Sequence, residues 1–136
     1  MAASLFYAPA SGGELFCERV QRLNRERVQK VIAIFKENLA EPPALEEIGR
    51  RVGCSHFYLS RIFSEQMGRP IFQHLRELRL ERAAVMLREG RMNITQIALE
   101  VGYASPSHFT TAFRETFGCC PGLYPLRTLP PRVKTR

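Results

Sequence analysis

Two small groups of side chains have the types and spacing to do chemistry. Ser107, His108, Thr111 and Arg114 fall on the side of a short segment opposite Phe109, Ala112, Phe113 and Phe117, with Pro106 at its start. Hydroxyls, an imidazole and a guanidinium can meet base edges and phosphates, and no large apolar residue blocks their entry into a DNA major groove. A solvated helix face has the same composition, so this segment taken singly leaves both readings open. The second group lies about fifty residues upstream: Phe57, Tyr58 and Arg61, with His56 and Ser60 beside them. The Arg61 guanidinium can bond a guanine bidentately; Phe57 can meet a thymine methyl or pack on its own module.

Other chemistries find less support. His56, His74 and His108 share no metal-ligand spacing with one another or with a glutamate, and no glycine-rich phosphate loop is present. The sequence thus points away from an enzyme and implies no metal or cofactor. Cysteines at 17, 54, 119 and 120 contain no C-x-x-C pair and fit a reducing compartment. Cys119 and Cys120, near a helix end, leave a thiol-responsive sensor as an alternative, with simple packing as the plainer account.

The elements that must hold these groups follow from apolar spacing. Ile94, Ile97, Ala98 and Val101 recur at i, i+3, i+4 and i+7, one stripe of an α-helix. Asn93 is its expected N-cap, and Gly102 ends it by accepting a left-handed conformation. Ser105 caps again, and Pro106 occupies a first helical position where a missing amide costs nothing. Two helices joined so closely must cross, which predicts a helix-turn-helix.

The pattern occurs twice. Leu45, Ile48, Gly49 and Val52 repeat the first stripe, Gly53 repeats Gly102, and Ser55, Leu59, Ile62, Phe63 and Gly68 repeat Ser105, Phe109, Ala112, Phe113 and Gly118. The second copy carries one extra turn residue.

Around the repeat, residues 1–13 read as a flexible lead, and from Glu14 to Leu23 the apolar Leu15, Phe16, Val20 and Leu23 can form a short helix with nothing evident to cover it. Residues 1–23 are assigned to this lead, or to the remnant of a linker from an upstream domain. A helix is expected from about Asn24 to Ala40, burying Val28, Val31, Ile32, Phe35 and Leu39 and stopped by Pro42-Pro43. Glu46 and Glu47 suit the dipole of the next helix start. The first module is set at 24–68, a linking helix at 69–90, the second module at 91–127 and a basic tail, expected to be disordered, at 128–136. On the linking helix, Ile71, Phe72, Leu75, Leu78, Ala83 and Leu87 are expected inside. Arg76, Arg79 and Arg82 supply charge, and Arg79 is read as an ion pair or a phosphate contact. Its span of about 28 Å suits modules one DNA turn, about 34 Å, apart. Pro121 to Tyr124 are expected to close the second module as a last short helix.

With 20 basic and 13 acidic residues the net charge is +7, the electrostatic footprint of a chain that approaches a polyanion. No apolar run reaches the length of a membrane span, and the N-terminus lacks the features of a secretory signal, so a cytoplasmic location away from membranes is expected.

The segments LEEIGRRVGCSHFYLSRIFSEQMG, LRELRLERAAVMLREG and ITQIALEVGYASPSHFTTAFRETFGCCPGLYP resemble the AraC/XylS family of transcription regulators, over roughly Arg27 to Leu126. The resemblance implies an all-α fold: two helix-turn-helix three-helix modules joined by a long linking helix. It implies sequence-specific binding of double-stranded DNA through His56, Phe57, Tyr58, Ser60, Arg61, Pro106, Ser107, His108, Thr111 and Arg114, with RNA polymerase as a partner. Many members carry an upstream sensor domain, for which 136 residues leave no room; if the chain is a fragment, the sensor is missing. The sequence departs from the family at Gly49, where alanine is usual, and at Cys119-Cys120. A protein-interaction module using residues 14 to 23 is the remaining alternative.

Overall fold

Leu15 to Tyr124 are described by the computed structural model, so the expected lead over 1–13 and the tail over 128–136 lie outside the described residues. The elements are α1 (Phe16–Glu37), α2 (Leu45–Val52), α3 (His56–Met67), α4 (Ile71–Glu89), α5 (Ile94–Glu100), α6 (Pro106–Phe117) and a 3₁₀ turn (Pro121–Leu123). No strand occurs among the described residues. The chain divides into two compact units: the residues up to Ile34 with Pro43–Ile71, and Phe35–Pro42 with Phe72 onward.

The helix starts obey the capping logic of the sequence. Ser55 Oγ accepts from the Tyr58 amide at 3.1 Å and Ser105 Oγ from the His108 amide at 3.2 Å. Asn93 and Gln96 form a reciprocal capping box, with bonds of 2.8 and 2.9 Å. Ala44, before α2, offers no side-chain cap, and Glu46 and Glu47 in the first turn compensate by charge. Hydrogen bonds from Arg51 and Arg50 hold the Glu47 carboxyl below its ordinary pKa.

In the first unit the buried residues include Val28 and Val31 of α1, Ile48, Gly49 and Val52 of α2, Leu59, Ile62 and Phe63 of α3, and Ile71 at the start of α4. In the second, Leu80, Ala83, Ala84, Met86 and Leu87 of α4 meet Ile97, Ala98 and Val101 of α5 and Phe109, Ala112 and Phe113 of α6. Tyr124 closes this core edge-on to Phe113, ring centroids 5.3 Å apart, while its hydroxyl accepts from Arg88 at 3.1 Å. Each fully buried large side chain contributes about 1.5–3 kcal/mol, so the aromatic cluster of α6 is a main anchor of this unit.

Three expectations need correction. Helix α1 begins at Phe16, not near Asn24, because no glycine or proline interrupts the intervening residues and the Glu18 carboxylate accepts from the Leu15 amide at 3.1 Å. It ends at Glu37, short of Ala40, where Asn38 closes a tighter bond onto the Phe35 carbonyl. On α4, Phe72 is exposed and Leu78 only half-buried, whereas His74, Leu80, Ala84 and Met86 are buried. The reason is that α4 changes face along its length. Ile71 and Leu75 lie on one side, and Leu80, Ala83, Ala84 and Leu87 on the opposite side, so no single stripe describes it.

Arg79, finally, is bonded to main-chain carbonyls and not to a carboxylate. Its Nε donates to the Leu39 carbonyl at 2.9 Å and its Nη2 to the Ala40 carbonyl at 3.2 Å. Arg27 occupies the matching place in the first unit, donating to the carbonyls of Val52 at 3.2 Å and Gly53 at 3.0 Å. Val28, Val31 and Phe35 follow Arg27 at the same spacing as Leu80, Ala83 and Leu87 follow Arg79. The repeat therefore includes the first helix of each module, with α4 serving as the first helix of the second.

The two turns differ by one residue, and Gly49 is the consequence. In the shorter turn Gly53 and Cys54 both donate to the Gly49 carbonyl, and a Cβ on Gly49 would lie 2.6 Å from the Cys54 carbonyl oxygen. In the longer turn the equivalent residue is Ala98, whose methyl group is accommodated in the core. Gly49→Ala is expected to destabilise the fold by about 1–3 kcal/mol, since the clash is with backbone. Ala98→Gly should cost about 0.5–1 kcal/mol for helix propensity plus the lost methyl burial. Urea denaturation of both variants checks this.

Candidate nucleic-acid interface

Helix α3 carries the first group. Phe57 is 76% exposed, with the neighbouring His56 ring against it, centroids 4.0 Å apart. His56 and Ser60 are half-buried, and Arg61 is exposed. The Arg61 guanidinium rests over the Tyr58 ring, 5.2 Å from its centroid, and its Nη1 lies 3.8 Å from Glu65 Oε2.

Tyr58 is less free than its neighbours. Its hydroxyl accepts from Asn24 Nδ2 at 2.8 Å, and Arg27 stands 5.9 Å from its ring. Arg27 in turn donates to Asn24 Oδ1 at 2.9 Å while holding the α2–α3 turn. Tyr58 is thus a half-buried platform under Arg61, braced from α1, and not a freely projecting side chain. Sequence reading missed this because the partners are 34 positions apart.

On α6, Pro106, Ser107, His108, Thr111 and Arg114 are all exposed, as the stripe of Phe109, Ala112 and Phe113 requires. Ser107, Thr111 and Arg114 share the centre of the outward face by helical spacing, and His108 lies toward its edge. Arg76 of α4 donates to Glu115 Oε1 at 2.9 Å along that same edge. Such a surface offers donors, acceptors and one cation without a hydrophobic barrier, the chemistry a major groove reads.

Among the described residues no three His, Cys, Asp or Glu side chains group as a metal site, and no helix is long and apolar enough to cross a membrane. Cys54, Cys119 and Cys120 are unbonded; Cys119 is buried, and burial pushes the Cys54 thiol up, against the pull of Arg27.

A family model described as a helix-turn-helix domain matches residues 48–126. The fold superposes on the crystal structure of a transcriptional regulator with an AraC-type DNA-binding domain from Chromobacterium violaceum. The TM-score is 0.73 at 29% identity, covering 78% of this chain and 96% of that one. The chain belongs to the AraC-type helix-turn-helix family. Among its relatives, the HTH-type transcriptional regulator ArgR of Pseudomonas aeruginosa is 34% identical over 84% of this chain and 39% of its own length. The chain therefore spans about two fifths of that relative. The DNA-binding domain of the global transcriptional factor AdpA, solved in complex with a target DNA, is similar at a TM-score of 0.67 and 25% identity, covering 74% of this chain and 91% of that one. The AraC-type family is one of DNA-binding transcriptional regulators, and the six helices here are its all-α unit with two helix-turn-helix modules.

Proposed function

We propose that this chain regulates transcription by reading two successive major-groove segments of double-stranded DNA, one with α3 and one with α6. The observation that carries the reading is that a single chain holds two helix-turn-helix modules, each with an exposed polar face on its second helix. Sequence is read chiefly by Arg61 and Phe57 on α3, with His56, Ser60 and Tyr58 around them. Pro106, Ser107, His108, Thr111 and Arg114 form the second surface, whose shorter side chains make it more a clamp than a reader. The net charge of +7 supports approach to the duplex. The chain acts as a binding protein and not as an enzyme, in the cytoplasm. RNA polymerase is the partner through which it acts, and a sensor domain would belong to the remaining length seen in relatives such as ArgR.

Arg61→Ala should cost about 1–3 kcal/mol of binding and relax preference at one base position. Tyr58→Leu, which removes the platform, should blur the same position and no other. Binding to a preferred site and its single-base variants checks both; equal weakening on every sequence would make Arg61 a phosphate contact.

Because the modules are unlike and sit on one chain, binding should need neither a dimer nor a palindrome. The two boxes should lie about one turn, roughly 10 base pairs, apart. Inserting half a turn between them should leave one module engaged, lowering affinity and flattening the salt dependence. Titration at two salt concentrations tests this. Unchanged affinity and slope would mean that the modules do not bind together.

A further inference from the structure

Beside the outward face of α6 the second unit holds an open cavity of ≈ 390 Å³, bordered by Arg76, Arg79, Tyr103, His108, Thr111 and Glu115. Two of these residues, His108 and Thr111, belong to the expected reading surface. Arg79 is committed to the Leu39 and Ala40 carbonyls. Arg76 is different: its side chain remains 45% exposed, and its bond is to a carboxylate that is itself 62% exposed. A solvent-exposed ion pair of this kind is worth little, so exchanging one anion for another costs little. The Tyr103 phenol borders the same space. Burial raises its pKa, against the charge of Arg76, a hydrogen bond with the Arg76 side chain and the charge of Arg79, so it remains a neutral hydroxyl at physiological pH and already faces the guanidinium.

We infer that Arg76, with the Tyr103 hydroxyl and the His108 imidazole, forms a seat for one backbone phosphate flanking the second box, and that Glu115 occupies the guanidinium until DNA displaces it. The chemistry is that of a guanidinium flanked by a phenol hydroxyl and an imidazole around an open space. The position also has a use. The outward face of α6 offers few strong contacts, and a phosphate held at its edge fixes the helix in the groove without specifying a base. Glu115 keeps the seat selective, because a carboxylate facing the duplex opposes any binding that does not replace it. This inference rests on the DNA-binding reading above.

The test compares Arg76→Gln, Arg76→Lys and Glu115→Gln in the whole chain, on a preferred duplex and on copies carrying a neutral methylphosphonate at single positions around the second box. Arg76→Gln should reduce the slope of log affinity against log salt by about 0.9, one phosphate, with the melting temperature and preferred sequence unchanged. Arg76→Lys should restore most of the slope. One methylphosphonate should weaken the wild-type chain roughly tenfold and leave Arg76→Gln unaffected. Glu115→Gln should tighten binding. If the ion pair merely fastens α6 to α4, Arg76→Gln and Glu115→Gln will both lower the melting temperature and weaken binding with the slope unchanged, and the seat is overturned. A wild-type chain that binds no duplex would sink the DNA-binding reading itself, and the seat with it.

Discussion

The second module depends on one guanidinium. Arg79 donates to two consecutive carbonyls, of Leu39 and Ala40, while lying flat against Gly102, where a Cβ would sit 2.9 Å from its Nε and Cζ. Charged hydrogen bonds contribute about 1.5–3 kcal/mol each, and leaving the carbonyls unsatisfied would cost a similar amount. Burial lowers the Arg79 pKa from its ordinary value, but an arginine so placed remains a cation. One side chain thus joins α4, the segment after α1, and the turn between α5 and α6. Gly102, at φ 106°, is required twice over, by its conformation and by the absence of room. Arg27 does the corresponding work at the Gly53 turn, from α1. In each module an arginine of the first helix is thus tied to main-chain carbonyls.

That arrangement explains what the sequence disclosed and what it hid. Caps, stripes and turn glycines act within a few residues, so Ser55, Asn93, Ser105, Gly53 and Gly102 were legible from spacing. The two helix-turn-helix repeats followed from them, and the all-helical fold from the family resemblance. The roles of Arg27, Arg79 and Tyr58 were not legible, because each rests on partners 25 to 40 positions away. An arginine reads as surface charge until its acceptors are known. The change of face along α4 was hidden for a related reason: a single helical template averages two opposite stripes into none. Gly49 looked like an arbitrary departure from the family, yet it follows from a turn one residue shorter than its counterpart.

The modules share a frame but differ in what they present. On α3 a long cation is stacked on a braced aromatic ring, beside an exposed phenylalanine. Pre-ordering a guanidinium in this way reduces the entropy lost when it bonds a base, which favours discrimination. On α6 the outward residues other than Arg114 are short, and beyond that one guanidinium specificity would have to come from hydroxyls and an imidazole. Duplication followed by such divergence gives two unlike surfaces on one chain. The positive charge of the whole supplies attraction to the duplex without regard to sequence.

The central claim is that these two unlike surfaces read one continuous, asymmetric site. The most direct measurement is a binding selection from a random duplex library with the purified chain. The expected motif has two non-identical boxes about one helical turn, roughly 10 base pairs, centre to centre, with more information in the box read by α3. A single box, an inverted repeat, or stronger information in the second box would contradict it.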